Sequence, residues 1–513
     1  MNSNASLKMG TRASPLAMAQ SRVVAQALER YHPGLDVEII PMMTDGDRDT
    51  NTPLHQVKDA GYFSTQLDRS LLSGEVDFCV HSRKDLSEQR PSGITTAAIP
   101  QRENPRDVVI FNSEVLHKLQ TGEPLKIGSS SLRRAKNVGA FLQVALPAFG
   151  QPAQIQFVDL RGPVDQRLEQ IHQELESDNY LDGIVLALAG LSRLYNDAYG
   201  HLLVAPLLQN VHWMVLPLGK CPTAPGQGAL AIECRTDDAR TKKLLQSLHD
   251  PVSADLVERE IEIFSRPAEA DRAALGVTAV YHRELGDLAW SRGETEINKH
   301  EEQASTELMW RFPPVPKYAT PCPAHSWKDF SSRVPTDQAQ INAPAVFVAH
   351  WNVLASTDPW SSETRTWVSG VSSWSRLAQR GIWVEGCADN LGFEFVRDTL
   401  TLPVLNLPVL DKWQVLTYEQ AVPSWNGMGI PSVTASYRLE YDANKAGAVH
   451  QELAAYSHFY WGSPEQYRVA EKWLPHNAQH ACGPGKTAAT LRDHGVHDLM
   501  VFPSREVWQQ WLT

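Results

Sequence analysis

Apolar positions along this chain recur with two periods, and the two alternate from the N-terminus onward. Val76-Asp-Phe-Cys-Val-His and Gly183-Ile-Val-Leu-Ala-Leu are apolar runs of strand length, which predict buried strands. Between such runs the period lengthens to that of a helix. Leu16, Ala19, Val23, Ala27 and Leu28 fall on one helical face, with Ser14 placed as N-cap and Pro15 at the first helical position. A strand, a turn and a helix thus open the chain, and the alternation predicts α/β domains with largely parallel sheets.

Residues 313–344 break the pattern. Pro313, Pro314, Pro316, Pro321, Pro323 and Pro335 stand among polar residues, which predicts an extended linker. Beyond it, Ser373-Trp-Ser-Arg-Leu-Ala-Gln-Arg-Gly-Ile382 parallels Thr487-Ala-Ala-Thr-Leu-Arg-Asp-His-Gly-Val496. Each reads as a helix stopped by a glycine, Gly381 or Gly495, and followed by a short strand, so two similar α/β lobes are expected.

At 513 residues the chain is too long for one core, and roughly three to five domains are expected. A hydrophobic content of 42% with 21% charged residues is that of a soluble protein, and no apolar run approaches the length of a membrane helix. The N-terminus has no basic segment followed by an apolar core, which predicts a cytoplasmic location. Six cysteines without any Cys-x-x-Cys pair argue against a structural zinc site and a disulfide framework, so free thiols and no metal are expected. The 15 tryptophans read as packing residues.

The net charge of −12 offers nucleic acid no basic face. Arginines nevertheless concentrate in the first half, which points to a local anion site for a small polycarboxylate. Gly483-Pro-Gly-Lys-Thr487 is not a phosphate loop, because that motif needs a glycine five residues before Gly485, where His480 stands.

From Gly10-Thr-Arg-Ala-Ser-Pro15 to Ala224-Pro-Gly-Gln-Gly-Ala-Leu230 the chain resembles the hydroxymethylbilane synthase family, also called porphobilinogen deaminases. The resemblance covers about residues 7–310. It implies two periplasmic-binding-protein-like α/β domains (1–106 plus 206–234, and 107–205), a small α+β domain (235–312), and a ligand cleft between the first two. In that family ammonia leaves porphobilinogen to give an electron-poor azafulvene, which the growing pyrrole chain attacks, and a fixed carboxylate stabilises the positive charge on the pyrrole. Val80-His-Ser-Arg-Lys-Asp85 matches the motif that bears it, so Asp85 is the implied catalytic carboxylate and Lys84 its neighbour. Taken without the family, an Asp after a buried strand more often caps a helix.

The resemblance further implies that Arg12, Ser14, Arg133, Arg134, Arg161, Arg167 and Arg193 bind the acetate and propionate side chains, arginine forks being suited to carboxylates. Ser129 to Ser131 open a helix whose free N–H groups add to the anion site. Three departures weigh against ordinary turnover. Ala60 and Thr65 stand where the family has lysines in a glycine-rich loop, and Pro163 replaces an asparagine. Glu269-Ala-Asp-Arg-Ala-Ala-Leu-Gly276 puts Asp271 where the family attaches its dipyrromethane primer to a cysteine, so no covalent cofactor is expected and dipyrromethane could bind only non-covalently. Cys79 and Cys221 are weak substitutes, since a buried strand cysteine is usually a small hydrophobe.

His458-Phe-Tyr-Trp-Gly-Ser-Pro464, Cys482-Gly-Pro-Gly-Lys-Thr-Ala488 and Leu491-Arg-Asp-His-Gly-Val496 resemble the last part of uroporphyrinogen-III synthase, over about residues 345–513. That is less than a full synthase, and the opening strand of its first lobe is not found. The resemblance implies Tyr437 as the residue assisting loss of a hydroxyl, with Ser463 and Thr487 as carboxylate binders. The expected protein is a tetrapyrrole-pathway fusion acting on porphobilinogen and hydroxymethylbilane. The alternative is a non-catalytic holder of a linear tetrapyrrole. Neither reading involves nucleic acid or membrane.

Overall fold

The computed structural model describes residues 5–44, 64–175, 177, 179–293, 306–314, 319–323, 331–336, 340–355, 360–442 and 452–512. The chain divides into two compact units, one drawn from residues 1–143, 149–280 and 289–309, the other chiefly from Trp310–Thr513. The α/β multidomain class expected from the sequence is the one observed.

The first unit holds two five-stranded sheets. One contains β1 (Ala5–Arg12), β2 (Leu35–Met42), β3 (Phe78–Ser82), β4 (Ile94–Ala98) and, returning from far along the chain, β10 (Leu230–Arg235), in the order 2-1-3-10-4. The other contains β5 (Asp107–Phe111), β6 (Leu125–Gly128), β7 (Ile155–Val158), β8 (Gly183–Ala187) and β9 (His212–Val215), in the order 7-6-8-5-9. β3, β5 and β8 are buried along nearly their whole length, as continuous apolar runs in a two-faced sheet must be.

The sheets are less parallel than expected. β10 runs antiparallel to β3 and β4, and β5 antiparallel to β8 and β9. The cause is the double crossing between sheets, once from β4 to β5 and once from β9 to β10, which brings strands in from the opposite end. Those two crossings form the hinge of a cleft.

The helix Pro15–Tyr31 starts as expected, with Ser14 Oγ accepting from Ala17 N at 3.4 Å. Its buried face is the expected one only in part. Ala19 and Leu28 are buried as expected, but Val23 is 50% exposed, and Ala17, Ser21, Val24 and Ala25 are buried in addition. Apolar residues occupy two stripes of this helix, and packing on the sheet selects the stripe through Val24.

A three-stranded sheet of β11 (Gly276–His282), β12 (Gly286–Arg292) and β13 (Glu307–Trp310) follows the helix Pro251–Ser265, whose N-cap Asp250 accepts from Ser253 N at 2.9 Å. Leu256 and Ile263 of that helix pack on Val277, Ala279 and Ala289.

The second unit has two lobes. The larger sheet comprises β14 (Ser331–Pro335), β15 (Ala345–Val348), β16 (Arg365–Val368), β17 (Gly386–Cys387), β18 (Trp413–Tyr418) and β19 (Ser432–Tyr441), in the order 14-19-18-15-16-17. All pairings are parallel except that of β14 with β19. The strand order reverses direction between β15 and β18, which opens a crevice at their carboxyl ends. The smaller sheet is β20 (His458–Trp461), β21 (Gln479–Cys482) and β22 (Leu499–Val501), all parallel.

The segment read as a linker is in part structural. Ser331–Pro335 is β14, and Pro321 forms a parallel bridge to His458 while Cys322 N donates to His458 O at 2.8 Å. Cys322 is buried beside Leu453, Phe459 and Trp461. The proline-rich segment thus supplies an isolated bridge at the edge of the smaller sheet and an edge strand of the larger one, positions that tolerate prolines because they need not donate to a ladder.

The paired helices are Val371–Ala378 and Lys486–Asp493. Gly381 and Gly495 take φ of +77° and +87°, and the residue after each donates back to Leu377 O or Leu491 O. The two helix ends close in the same way. Trp367, Trp374, Trp413, Trp461 and Trp508 are fully buried packing residues, and all six cysteines are free and buried. Among the described residues no helix is long and apolar enough to cross a membrane.

Candidate active site and a second cleft

A cavity of about 530 Å³ lies between the two five-stranded sheets. The sheets present their strand ends to it. Beyond β1 come Arg12 and Ser14; beyond β3, the single turn Arg83–Asp85 presents both Lys84 and Asp85. Asp85 ends this turn rather than capping a helix, and Arg83 N donates to Ala229 O at 3.0 Å to fix it.

Arg133, Arg134, Arg161, Arg167 and Arg193 line the opposite wall. Ser131 also lines it and precedes the helix Leu132–Ala145, where its Oγ accepts from Arg134 N. Ser129, expected in the cleft, is instead buried behind it, accepting from Ser131 N at 3.3 Å. Its role is to shape the turn.

Arg133 and Arg134 meet a partner that sequence reasoning missed. Asp107, fully buried at the start of β5, accepts from Arg133 Nη1 at 2.9 Å through one oxygen and from Arg134 Nη2 at 2.7 Å through the other. Gln227 Nε2 adds a third bond at 2.9 Å, and its Oε1 faces Lys84 Nζ at 3.4 Å. The two guanidiniums hold the Asp107 carboxyl far below the usual carboxylate range, overcoming the burial that opposes them. These arginines are not simply waiting for a ligand.

Arg167 Nε donates to Gly162 O and Arg193 Nη2 to Gly228 O, each at 2.7 Å. Burial lowers each guanidinium to about 10, so both stay charged at neutral pH. Gly228 takes φ of +87°, and a Cβ there would meet Glu103 O at 2.5 Å, so only glycine permits the Arg193 contact. Lys84 is pushed down to about 8 by desolvation, with Asp85 opposing and Arg134 assisting, although the residue is open to the cleft.

The junction between the two five-stranded sheets is pinned from the helix Pro251–Ser265. Glu260, fully buried on the helix Pro251–Ser265, receives Arg102 Nη1 and Gly226 N, both at 2.7 Å. Arg102 Nε donates to Gln227 O at 2.8 Å. Gln227 is thereby held at the junction.

Asp271 sits in the turn Glu269–Asp271, whose residues are not among those lining the cleft. Cys79 and Cys221 are buried, with Sγ contacts to Leu67 O and Asn137 O at 3.7 Å, and burial pushes the Cys79 thiol up. Neither is placed for attachment. Pro163 is N-cap of the helix Val164–Glu169, and Thr65 begins the helix Thr65–Leu72 rather than lying in a loop. Ala60 lies outside the described residues.

Asp68, His81 and Glu233 cluster with ligand-capable atoms within 4.8 Å. Arg90 already occupies the cation's place, bonded to Asp68 Oδ1 at 2.5 Å and to both Glu233 oxygens at 2.7 and 2.9 Å. Burial and this arginine push His81 down to about 4. The cluster is an ion network bracing β3.

A second cavity, of about 890 Å³, lies between the lobes of the second unit. Tyr437, Ser463 and Thr487 all line it. The Tyr437 ring stacks on Tyr418, centroids 5.8 Å apart, and its hydroxyl is hydrogen-bonded by Arg333 and Asn352. Burial raises the Tyr437 phenol and Arg333 opposes the rise. Tyr418 reaches across to Glu465 Oε2 at 2.9 Å. Ser463 forms a capping box with Gln466 at the start of the helix Pro464–Ala470, and Thr487 lies in the first turn of the helix Lys486–Asp493.

Two residues here escaped the sequence reading. Arg333 lies in the proline-rich segment whose composition predicts a linker, and Lys486 lies in the stretch 483–487 whose spacing excludes a phosphate loop. Lys486 lies on the face of Trp425 and donates to Ser424 O at 3.0 Å. Desolvation pushes it down to about 6, with Glu394 opposing. It therefore loses its proton between pH 5 and 7, far below an ordinary lysine. Limited acylation at pH 7.5 should label Lys486 ahead of the exposed lysines, read by peptide mass spectrometry; labelling that rises only above pH 9 would contradict this.

The first unit thus holds two five-stranded sheets on either side of a cleft in which five arginines face a carboxylate. A family model described as porphobilinogen deaminase, dipyromethane cofactor binding domain, matches residues 7–243. The porphobilinogen deaminase of Syntrophotalea carbinolica is 36% identical over 258 residues, 50% of this chain and 73% of that protein. That of Acidithiobacillus ferrooxidans is 39% identical over 256 residues, 50% of this chain and 74% of that protein. The chain belongs to the porphobilinogen deaminase family, and so to the proteins of tetrapyrrole biosynthesis. The methionine-binding protein MetQ covers 50% of this chain and 94% of its own at 12% identity and a TM-score of 0.26, too low to support any argument.

Proposed function

We propose that this chain is a tetrapyrrole-pathway fusion whose first cleft polymerises porphobilinogen into a linear bilane and whose second cleft closes that bilane into uroporphyrinogen III. The observation that carries the first step is the placement of Asp85 and Lys84 on one turn facing five arginines. As ammonia departs from porphobilinogen, positive charge gathers on the pyrrole nitrogen, and a carboxylate fixed beside it stabilises that charge without reorganising. The arginine wall holds the acetates and propionates of the ring and of the chain already made.

The donor set also fits a dipyrromethane, whose acetates and propionates Arg12, Arg161, Arg167 and Arg193 would hold. When bound, that group supplies the free α-carbon to which pyrrole units are added. Covalent attachment does not fit, because Asp271 is a carboxylate outside the cleft lining and Cys79 and Cys221 are buried. We therefore assign the primer a non-covalent hold, in a protein of the cytoplasm. Purified protein should show an intact mass equal to its sequence mass while consuming porphobilinogen. A mass larger by two linked pyrroles, or a pyrrole colour reaction that survives denaturation, would overturn the non-covalent assignment.

Asp271 also favours a second reading, in which the cleft holds a linear tetrapyrrole without catalysis. Saturable bilane binding with no porphobilinogen consumption would select it. For the second step the support is Tyr437 on a cavity between two similar lobes, large enough for a macrocycle. The linear bilane cyclises unaided in water, and a tethered second site raises the chance of capture before it does.

A further inference from the structure

Asp107 is a buried carboxylate directly behind the arginine wall of a cleft that must attract carboxylates, and bulk electrostatics alone would count it as a fault. Its geometry argues otherwise. Arg133 and Arg134 are adjacent in sequence, on the first turn of one helix, and two guanidiniums so close repel each other. Asp107 binds one with each oxygen. Backbone carbonyls add to the hold: Pro222 O accepts from the same Arg133 Nη1 at 2.9 Å, and Val185 O accepts from the other arm of Arg134, Nη1, at 3.0 Å. Arg134 Nε is left buried without a hydrogen-bond partner in a residue that lines the cleft.

We propose that Asp107 is a positioning residue for ligand binding: its charge holds Arg133 and Arg134 side by side in the register with which both line the cleft. Gln227 completes the device. Its amide donates to Asp107 and to Pro105 O, at 2.9 and 2.7 Å, while its carbonyl takes Lys84. One side chain thereby couples the arginine wall to the turn that carries Asp85. The pair of arginines keeps a net single positive charge after Asp107 is counted, enough for one carboxylate and directed at it.

This inference rests on the polycarboxylate reading of the first cleft and makes a prediction opposite in sign to that of net charge. Asp107→Asn removes a negative charge from an anion site, so charge alone predicts tighter binding. Positioning predicts weaker binding, by about tenfold or more, because the amide meets Arg donors with its own N–H groups and the two forks separate. The probe is a free dipyrromethane bearing acetate and propionate side chains, titrated by calorimetry, with far-UV circular dichroism and melting recorded for each protein. Asp107→Glu, which keeps the charge, should restore affinity to within about threefold of wild type, a rescue that generic loss of stability would not show.

Should Asp107→Asn fail to fold, Gln227→Leu leaves both ion pairs and removes the Gln227 bonds to Asp107, Pro105 O and Lys84. It should weaken dipyrromethane binding about threefold or more, the effect of at least one hydrogen bond. Folded Asp107→Asn or Gln227→Leu binding as tightly as wild type, or tighter, overturns the positioning role while leaving the cleft's ligand class intact. Wild-type protein that does not bind the dipyrromethane at all overturns both.

Discussion

Asp85→Asn should lower the rate of porphobilinogen consumption by about a hundred- to a thousandfold, with dipyrromethane affinity within a few-fold of wild type. The magnitude is that of one preorganised electrostatic contact, roughly 3–4 kcal/mol of transition-state stabilisation. The split between kcat and affinity follows from when the charge appears. Ground-state porphobilinogen has a neutral pyrrole ring, so the carboxylate gains most only as ammonia departs, and an amide of the same shape keeps the ground-state contacts. Steady-state kinetics at saturating substrate check the first half, and calorimetry the second. Unchanged kcat would remove Asp85 from the mechanism. An equal fall in kcat and in affinity would make it a binding residue.

Lys84 should give the proposed reaction an alkaline limit. Desolvation has pushed it down to about 8, so its charge is present below that pH and lost as pH rises through it. If its positive charge shares in holding the substrate's carboxylates, KM should rise above pH 8, two units earlier than an ordinary lysine allows. Lys84→Arg, which stays charged, should flatten that limb.

What could be read from the sequence was what short range determines. Ser14 and Pro15 fix a helix start from two adjacent residues, and Gly381 and Gly495 fix helix ends by a local closure. Lys84 and Asp85 were legible only through the family motif at residues 80–85, since the local pattern of a buried strand and one turn fits a helix cap as well. Asp107 was not, since it is 26 residues from Arg133 and 120 from Gln227, and nothing local to Pro105-Arg-Asp107 marks it as a shared anchor. The antiparallel strands escaped for a similar reason. β10 enters a sheet whose other members ended some 130 residues earlier (230 against 98), and only the double crossing of the hinge sends it there. Arg333 was hidden by its neighbours: proline-rich composition describes backbone freedom, but an edge strand such as β14 accepts Pro335 without losing a ladder bond it needs. Val23 and Val24 show the limit of periodicity, which defines stripes on a helix but not which stripe the sheet selects.

Tyr437→Phe should change the product of the second cleft rather than its folding. With hydroxymethylbilane supplied directly, the wild-type protein should give the type-III ring, and the variant mainly the type-I ring that forms spontaneously, the catalysed rate falling by about a hundredfold or more. The geometry explains why a phenol serves here. Departure of the terminal hydroxyl breaks its C–O bond, and the oxygen leaves with the electron pair as water once it has taken a proton. Tyr437 lines the cavity and carries such a proton, and Arg333, hydrogen-bonded to the same oxygen, stabilises the phenolate left behind. The proton lost when the last ring closes and regains aromaticity returns the phenol to its starting state, so each turnover releases one water and consumes nothing else. Phenylalanine keeps the stacking partner of Tyr418 and removes only the hydroxyl, so the melting temperature should stay close to wild type. Chromatographic separation of the type-I and type-III rings after oxidation to porphyrins checks the outcome. Type-III product undiminished in Tyr437→Phe would reassign the proton donor, and type-I product alone from the wild-type protein, at the rate seen without protein, would show that this cleft does not close the ring.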